Sequence, residues 1–310
     1  MSRREIGFYA ICLIMMGAGW GLTMPMTKIA VSTGYEHFGL IFWQLVIAVV
    51  LMGAFCLLRR DALPLHGPAL QVYAVIALTG TVLPNTLSYQ AAVHLPSGIM
   101  SLLLSIIPMF AFVIALALGN DRFRARRLIG LILGLIGVLI IILPDVDLGQ
   151  PIPLFWAAVY LIVALLYGFE GNYVTRWGTA GLNAFQVMLG ASTVGLILTT
   201  PLMIWDGQYI APDWPLDRVQ GAHVVASVIH VLVYAGYVWL VSHAGAVFGA
   251  QVSYLVTGFG LIWAWMILQE GYAPTLWIAL TAMFAGMYFV QPRPSGPSVK
   301  FGRRERSCGA

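Results

Sequence analysis

Apolar stretches of about 18 to 20 residues recur along the whole sequence, and short polar segments separate them. A helix of about 20 apolar residues is the length that crosses a hydrocarbon core roughly 30 Å thick. The stretches are continuous, without the alternating strands of about ten residues that mark a membrane β-barrel. The pattern therefore predicts an all-α membrane protein with ten transmembrane helices. We place these spans at approximately 6–30, 38–58, 69–92, 97–118, 127–143, 153–173, 184–205, 220–242, 247–268 and 274–291.

The composition supports a membrane environment. Hydrophobic residues make up 60% of the chain and charged residues only 9%, whereas about a quarter of an average soluble domain is charged. So few charges cannot cover a water-facing surface of this size. The net charge of +4 is compatible with nucleic-acid binding, but excess Lys and Arg of membrane proteins collect in cytoplasmic loops. We therefore expect a lipid bilayer, and no nucleic acid, as a partner.

The distribution of charged residues predicts the orientation of the spans. With the N-terminus in the cytoplasm, 14 of the 16 Lys and Arg residues lie in cytoplasmic segments, all except Lys28 and Arg218. A count that was wrong by one span would scramble this bias, so the positive-inside rule supports ten spans. It predicts a multi-pass protein of the cell inner membrane with both termini in the cytoplasm. The opposite side then holds Glu36, Asp145, Asp147, Asp206, Asp213, Asp217 and Glu270.

The two halves of the chain follow one plan. A shift of 147 residues places Trp20-Gly21 on Tyr167-Gly168. A shift of 149 residues lays the fourth and fifth spans over the ninth and tenth, with Asp121 on Glu270 and Gly137 on Gly286.

These alignments predict a first five-helix repeat over 1–143, a linker over 144–152, a second repeat over 153–291 and a cytoplasmic tail over 292–310. Because five is odd, the second repeat must enter the membrane inverted relative to the first. Inverted repeats are characteristic of secondary transporters, which bind substrate near the midplane where the repeats meet.

The end of the fourth span and the start of the fifth carry a recognisable pattern. Leu118-Gly119-Asn120-Asp121 precedes a basic stretch at 122–127 and the glycine spacing of Gly130 and Gly137. With Pro108 in the fourth span, the chain resembles the drug/metabolite transporter superfamily, and within it the EamA-type ten-helix branch. The resemblance implies two EamA-like repeats and export of small metabolites by alternating access without ATP. It also implies that amino acids are a common cargo, as in exporters of the YddG-like kind.

Polar side chains inside the spans supply the candidate binding residues. Such side chains are costly in lipid and usually face a helix interface or a water-filled cavity. They form stripes on spans one, three, six, eight and nine, among the helices that line the central cavity in the resembled family. The candidate substrate-binding residues are Trp20, Asn85, Ser88, Tyr89, Tyr167, Asn172, His230, Tyr234, Tyr237, Gln251 and Tyr254.

Each candidate also has a structural explanation. Tyr and Trp near span ends often anchor the helix at the membrane interface, and His230 can be a packing histidine. Pro84, beside Asn85, removes a backbone donor and frees a carbonyl of the preceding turn. Glu170 is the only acidic residue placed within a span, which makes it the candidate for proton coupling. It can equally reach water or a basic loop residue, and Lys28 can snorkel to the interface.

The sequence favours transport over catalysis. It contains no phosphate-binding Gly-x4-Gly-Lys-Ser/Thr loop, no His-Glu-x-x-His and no Gly-x-Ser-x-Gly motif, so we expect no enzymatic activity, metal or cofactor. The predicted function is a secondary transporter, monomeric or homodimeric, that exports neutral or aromatic amino acids or similar small metabolites. The alternatives are a multidrug or other metabolite transporter of the same fold, and a non-transporting membrane scaffold.

The orientation predicts which loops are accessible from outside the cell. In a chain whose native cysteines are replaced, single cysteines at Asp147 and Asp213 should react with a membrane-impermeant maleimide from the periplasm. A cysteine at Arg124 should react only after the cells are lysed. The reverse labelling pattern would overturn the orientation.

Overall fold

A computed structural model describes residues 3–120, 123, 125–142, 152–244 and 252–290. These residues form helices and connecting loops, with no strand among them. The helices are α1 (Arg3–Ala30), α2 (His37–Arg59), α3 (Gly67–Ile76), a π-helical segment (Ala77–Val82), α4 (Leu83–His94), α5 (Ser97–Leu104), α6 (Ile107–Ala117), α7 (Ala125–Ile142), α8 (Leu154–Trp177), α9 (Ala184–Trp205), α10 (Arg218–Ala244), α11 (Val252–Leu268) and α12 (Pro274–Val290).

Several of these helices join into longer membrane spans. The segments α3, π and α4 form one continuous helix over Gly67–His94, and α5 with α6 covers Ser97–Ala117. Seven helices of the described chain are long and apolar enough to cross a membrane, and Val252–Leu268 and Pro274–Phe289 are shorter apolar helices. The prediction of an all-α, multi-span membrane protein is confirmed. Ten crossings and their orientation stay predictions.

Local sequence explains where the helices begin and end. Asn183 and Gln186 form a capping box at the start of α9, each side chain bonded to the other's backbone N–H, which satisfies two otherwise unpaired donors. Asp217 Oδ1 accepts from Gln220 N at 2.6 Å and caps the start of α10 in the same way. The helix α8 ends at Gly178, whose φ of 76° suits a residue without a Cβ.

The packing pairs repeat between the two halves of the chain. The first-half helix α1 packs against α10 and α11, and α8 packs correspondingly against α4 and α6. The pairs α2 with α9 and α7 with α12 connect equivalent positions of the two halves. Helices of each half thus pack on the equivalent helices of the other half, and this reciprocal packing supports the prediction of two inverted repeats. The repeat boundary, the linker and the tail fall mostly or wholly outside the described residues, so the domain limits stay a prediction.

Equivalent glycines make the closest of these contacts. A Cβ added to Gly21 of α1 would lie 2.8 Å from the backbone nitrogen of Gly260 in α11. A Cβ added to Gly168 of α8 would lie 3.0 Å from the backbone nitrogen of Ala111 in α6. The alignment of Trp20-Gly21 with Tyr167-Gly168 therefore matches positions with the same packing role, since small residues let membrane helices approach closely.

The glycines of the fifth predicted span pack within the molecule. A Cβ on Gly137 of α7 would lie 3.0 Å from the Ala279 carbonyl of α12, and one on Gly286 would lie 2.7 Å from the Gly130 carbonyl. These positions are used for contact between α7 and α12.

Two opposite charges fix the turn between α4 and α5. Lys28 Nζ donates to the backbone carbonyls of Ala92 at 2.7 Å and Val93 at 3.1 Å, at the negative end of the α4 dipole. Lys28 therefore binds the protein, and the snorkelling expectation does not describe it.

The buried carboxylate of Glu270 lies on the other side of this turn, at the positive end of the α5 dipole. It accepts from Ser97 N at 2.7 Å, Ser97 Oγ at 2.9 Å and Gly98 N at 3.0 Å. Tyr272 donates a fourth hydrogen bond at 2.7 Å. Burial and the neighbouring Glu270 charge raise the pKa of Tyr272, so its hydroxyl keeps the proton that it donates. The contact ties the end of α11 to the start of α5.

Replacement of Glu270 by Gln should destabilise the fold. The amide carries no charge and cannot accept all four hydrogen bonds, and bonds to charged groups are worth about 1.5–3 kcal/mol each. We expect a loss of about 2 kcal/mol or more, measured as a lower midpoint of thermal unfolding in detergent.

Glu36→Gln is the matched control for this variant. Glu36 also lies at a helix start, but its side chain makes no capping hydrogen bond with α2. An equal loss of stability in both variants would contradict the capping role of Glu270.

Candidate functional site

The carboxylate of Glu170 lies in a notch formed by an irregular helix. Pro84 has no N–H to donate to the carbonyl of Gly80 four residues earlier, and the helix widens to a π-helix over Ala77–Val82. A Cβ built on Gly80 would lie 2.6 Å from Glu170 Cδ, so only glycine leaves room for the carboxylate here. Single-turn π-helices are rare and often occur at functional sites.

Tyrosine side chains lie near this carboxylate, and further aromatic rings lie next to them. Tyr167 and Tyr234 both lie close enough to Glu170 to interact with its charge, and Tyr234 also lies close to Tyr237. The Trp20 ring lies 5.4 Å from the Tyr237 ring and 6.3 Å from the His230 ring, between centroids.

The groups in this region are not fully buried. Tyr167, Glu170, His230 and Tyr234 each keep partial exposure.

An amide and hydroxyl network continues the site toward α2. Gln44 Oε1 accepts from Asn85 Nδ2 at 3.1 Å and from the Tyr89 hydroxyl at 2.8 Å. Tyr89 lies within electrostatic range of Tyr167, which connects the network to Glu170. We call the connected set the central polar cluster: Trp20, Gln44, Asn85, Ser88, Tyr89, Tyr160, Tyr167, Glu170, His230, Tyr234 and Tyr237.

Ser88 joins this cluster through a residue that the sequence did not single out. The Ser88 side chain lies beside the Tyr160 hydroxyl, and Tyr160 lies close enough to Tyr167 for their hydroxyls to interact electrostatically. Tyr160 is fully buried and belongs to the same helix as Tyr167 and Glu170. Nine of the twelve predicted residues, Glu170 included, thus belong to one connected cluster.

Three predicted residues are not part of it. Asn172 Nδ2 donates to the carbonyls of Ala111 at 2.8 Å and Gly168 at 2.9 Å, so its amide ties α8 to α6. Tyr254 packs with its ring 5.4 Å from Phe284, between centroids, in the contact of α11 with α12. Gln251 lies outside the described residues.

Sequence reasoning missed Gln44, Tyr160 and Gly80 as site residues. Gln44 carried a signal, because it is a lone amide in an otherwise apolar second span. The signal for Gly80 was its position four residues before Pro84, which marks the freed carbonyl without saying what would face it. Tyr160 carried none, since a tyrosine in an apolar span is as common in packing as in binding.

The chemistry of the cluster suits a cation with an aromatic or apolar part. Glu170 makes no hydrogen bond or ion pair with any described residue, so its charge has no cationic partner there. Tyrosine and tryptophan faces attract cations, and the Gln44 and Asn85 amides offer both donors and acceptors. No group of three or more His, Cys, Asp or Glu side chains suited to a metal occurs in the described part of the chain.

Comparison with known families identifies the first half of the chain. Residues 7–143 match the EamA-like transporter family. Over these residues the chain is similar to an EamA-like transporter domain. The resemblance to the drug/metabolite transporter superfamily predicted from the sequence is confirmed.

Two curated relatives extend the likeness over both halves. They are the S-adenosylmethionine/S-adenosylhomocysteine transporters of Chlamydia trachomatis serovar L2 and serovar D. Each is 23% identical over 292 residues, which cover 89% of this chain and 87% of the relative. The comparisons support a metabolite transporter, but they do not support the amino-acid cargo predicted from the sequence.

A solved crystal structure shares the fold of this protein. It superposes with a TM-score of 0.61 at 16% identity and covers 93% of this chain and 96% of that one. At this identity the likeness shows the fold alone.

Replacement of Gly80 by Ala should push the Glu170 carboxylate out of its notch. The added methyl group would lie 2.6 Å from Glu170 Cδ, and the flexible carboxylate can move away from it. We expect labelling of Glu170 by a hydrophobic carbodiimide, measured by peptide mass spectrometry, to rise severalfold. Gly53→Ala is the control, because its Cβ would have only an ordinary 3.9 Å contact with Leu189. Unchanged labelling in Gly80→Ala would show that the notch does not hold the carboxylate.

Proposed function

We propose that this protein is a secondary transporter of S-adenosylmethionine, S-adenosylhomocysteine or a closely similar cationic metabolite, bound at the central polar cluster. The observation that carries the proposal is the Glu170 carboxylate, which lies near Tyr167 and Tyr234 and has no cationic partner among the described residues. An ionisable group inside a membrane protein usually marks a substrate or ion pathway. The names of the 23% identical relatives agree with this assignment.

The parts of such a substrate match the parts of the cluster. S-adenosylmethionine carries a sulfonium, an α-ammonium group, a carboxylate and an adenine ring. Glu170 would pair with a positive group, and the Tyr167 and Tyr234 rings would add cation–π attraction. The Trp20 and Tyr237 rings offer faces on which adenine can stack, and the Gln44 and Asn85 amides can bond the remaining polar edges.

Neutral or aromatic amino acids remain the second candidate cargo. Their α-ammonium group could pair with the same carboxylate, but an amino acid leaves no use for a second aromatic platform at Trp20 and Tyr237. A neutral hydrophobic drug would gain nothing from Glu170, and a scaffold would show no uptake at all. The cargo can therefore be decided by competition among these classes at one site.

The mechanism that we propose is alternating access between the two inverted repeats, in an inner membrane with both termini cytoplasmic. Glu170 can hold either a proton or the substrate cation, but not both. Competition for this one carboxylate would couple export of substrate to entry of protons. Without a proton gradient the same competition allows exchange of one substrate for another. The protein would act in this way as a monomer or as a homodimer.

Glu170→Gln should abolish recognition of the cation. In proteoliposomes loaded with unlabelled S-adenosylhomocysteine, we expect uptake of labelled S-adenosylmethionine to fall at least about tenfold, equivalent to roughly 1.4 kcal/mol. Removal of the carboxylate should affect S-adenosylhomocysteine less, because its thioether is uncharged. Competition with phenylalanine and leucine in the same assay tests the amino-acid alternative.

Two further measurements separate binding from coupling and from misfolding. Tyr234→Leu should weaken uptake, because it removes the ring that attracts the cation, whereas Tyr254→Leu, which removes a ring outside the cluster, should not. A pH gradient should stimulate wild-type transport but not the residual transport of Glu170→Gln. Uptake at the wild-type rate in Glu170→Gln would refute this role of the carboxylate, and uptake of amino acids in preference to S-adenosylmethionine would refute the cargo.

A further inference from the structure

Two cationic side chains line one pocket at the predicted outer ends of the spans. Lys28, in the last turn of α1, and Arg218, the first residue of α10, are the two Lys and Arg residues that the charge pattern leaves on this side. The pocket that they share has a volume of about 490 Å³. Its remaining lining has no acidic side chain among the described residues and consists of Ile29, Val31, Ser32, Val93, Val219 and Leu268.

The guanidinium of Arg218 has no partner in the described part of the chain. Its side chain is exposed, and it forms no hydrogen bond and no ion pair with a residue that the structure describes. The neighbouring Asp217 carboxylate accepts from Gln220 N at 2.6 Å and caps α10 instead of pairing with Arg218. The N–H donors of the guanidinium fork are therefore available to a ligand in the pocket.

Lys28 adds a second positive charge at a fixed position. Its ammonium group has three donors, of which two bind the Ala92 and Val93 carbonyls. These bonds hold Nζ at the pocket wall and leave the third donor for a ligand. Glu270 lies close enough to interact with the Lys28 charge, but its carboxylate is bonded to the start of α5 and does not line the pocket. The lining therefore carries an excess of positive charge.

This pair of cations indicates the chemistry of the missing partner. An arginine fork binds two oxygens of a carboxylate or phosphate, and a lysine binds phosphate as a point charge. A carboxylate has only two oxygens, which Arg218 alone would occupy, whereas a phosphate group has further oxygens for Lys28. Apolar walls at Val93, Val219 and Leu268 lower the local dielectric and strengthen such a pairing. The pocket therefore fits a phosphate group.

We propose that this pocket is a binding site for one phosphate group, from a lipid head group or from free phosphate, with Arg218 as the bidentate donor and Lys28 as the second cation. The two cations come from different predicted repeats, so a bound phosphate would connect the outer ends of α1 and α10. The site is separate from the central polar cluster. At 1.5 Å per residue, Lys28 is about 12 Å from Trp20 along α1, and Arg218 is about 18 Å from His230 along α10.

The test is the thermal unfolding of the full-length protein in an uncharged detergent and a phosphate-free buffer of constant ionic strength. The protein is titrated separately with a diacyl phosphatidylglycerol, with inorganic phosphate and with a diacylglycerol of the same chains. A ligand that binds only the folded protein raises the unfolding midpoint. We expect a saturable rise with phosphatidylglycerol alone if the phosphate belongs to a lipid, and with inorganic phosphate as well if it is free. Binding should be at least about tenfold weaker in Arg218→Gln, which loses charge-assisted hydrogen bonds.

Arg176→Gln is the matched control. Arg176 is also exposed and makes no hydrogen bond or ion pair with a described residue, but it lies in the last turn of α8 and does not line the pocket. Its titrations should equal those of the wild type. Ser32→Glu places a carboxylate in the pocket lining, which should occupy Arg218 and abolish the response to phosphate.

Three results would overturn the phosphate site. They are wild-type titrations in both Arg218→Gln and Ser32→Glu, a rise with diacylglycerol that equals the rise with phosphatidylglycerol, and no saturable rise with either phosphate ligand. None of these measurements involves transport, so they stand apart from the test of the proposed function.

Discussion

The hydrocarbon core of a bilayer offers no hydrogen bonds, and this absence controls most of the structure. Each backbone group inside it must be paired within the protein, which is why the described spans are helical. Each polar side chain must find a partner in the interior, as Asn85 and Tyr89 do at Gln44. A polar side chain without such a hydrogen-bond partner is therefore unusual. Glu170 is such a group among the described residues, and the proposed function rests on it.

At the turn between α4 and α5, exposed backbone groups find partners within the protein. There the chain must reverse direction, which leaves the last carbonyls of one helix and the first N–H groups of the next without helical partners. Lys28 bonds the carbonyls and Glu270 bonds the N–H groups. Because these two side chains come from α1 and from the end of α11, local capping also connects the two halves of the chain. A change at this turn would therefore affect the relation between the repeats.

In the π-helical segment, this backbone pairing is incomplete. Pro84 interrupts the regular bonding of its helix, and Gly80 at the widened turn has no side chain, so the two together make space inside a span. The Glu170 carboxylate occupies that space against the bare backbone. A single carboxylate held there can bind a proton or an organic cation, which is the property that an exchanger of charged metabolites requires.

The sequence alone determined the features that depend on periodicity and composition. Span positions follow from where apolar runs stop, and the predicted boundaries agree with the helices to within a few residues, as at 184–205 for α9. Candidate site residues followed from polar side chains inside those runs, and Glu170 was found because only one carboxylate lay within a span. The amino-acid cargo was inferred from the resemblance to a family, and the comparisons do not support it.

Only the tertiary structure decided which polar groups meet. Asn172 and Asn85 are both amides inside predicted spans and look alike in sequence. The first has its donors bonded to the Ala111 and Gly168 carbonyls, and the second belongs to the cluster through Gln44. A partner that is 41 residues away in the chain leaves no local pattern, because helix packing and not helix period brings it near. Hydrophobic periodicity determines that a chain forms spans, whereas the contacts between the spans determine which of their polar groups are free to bind.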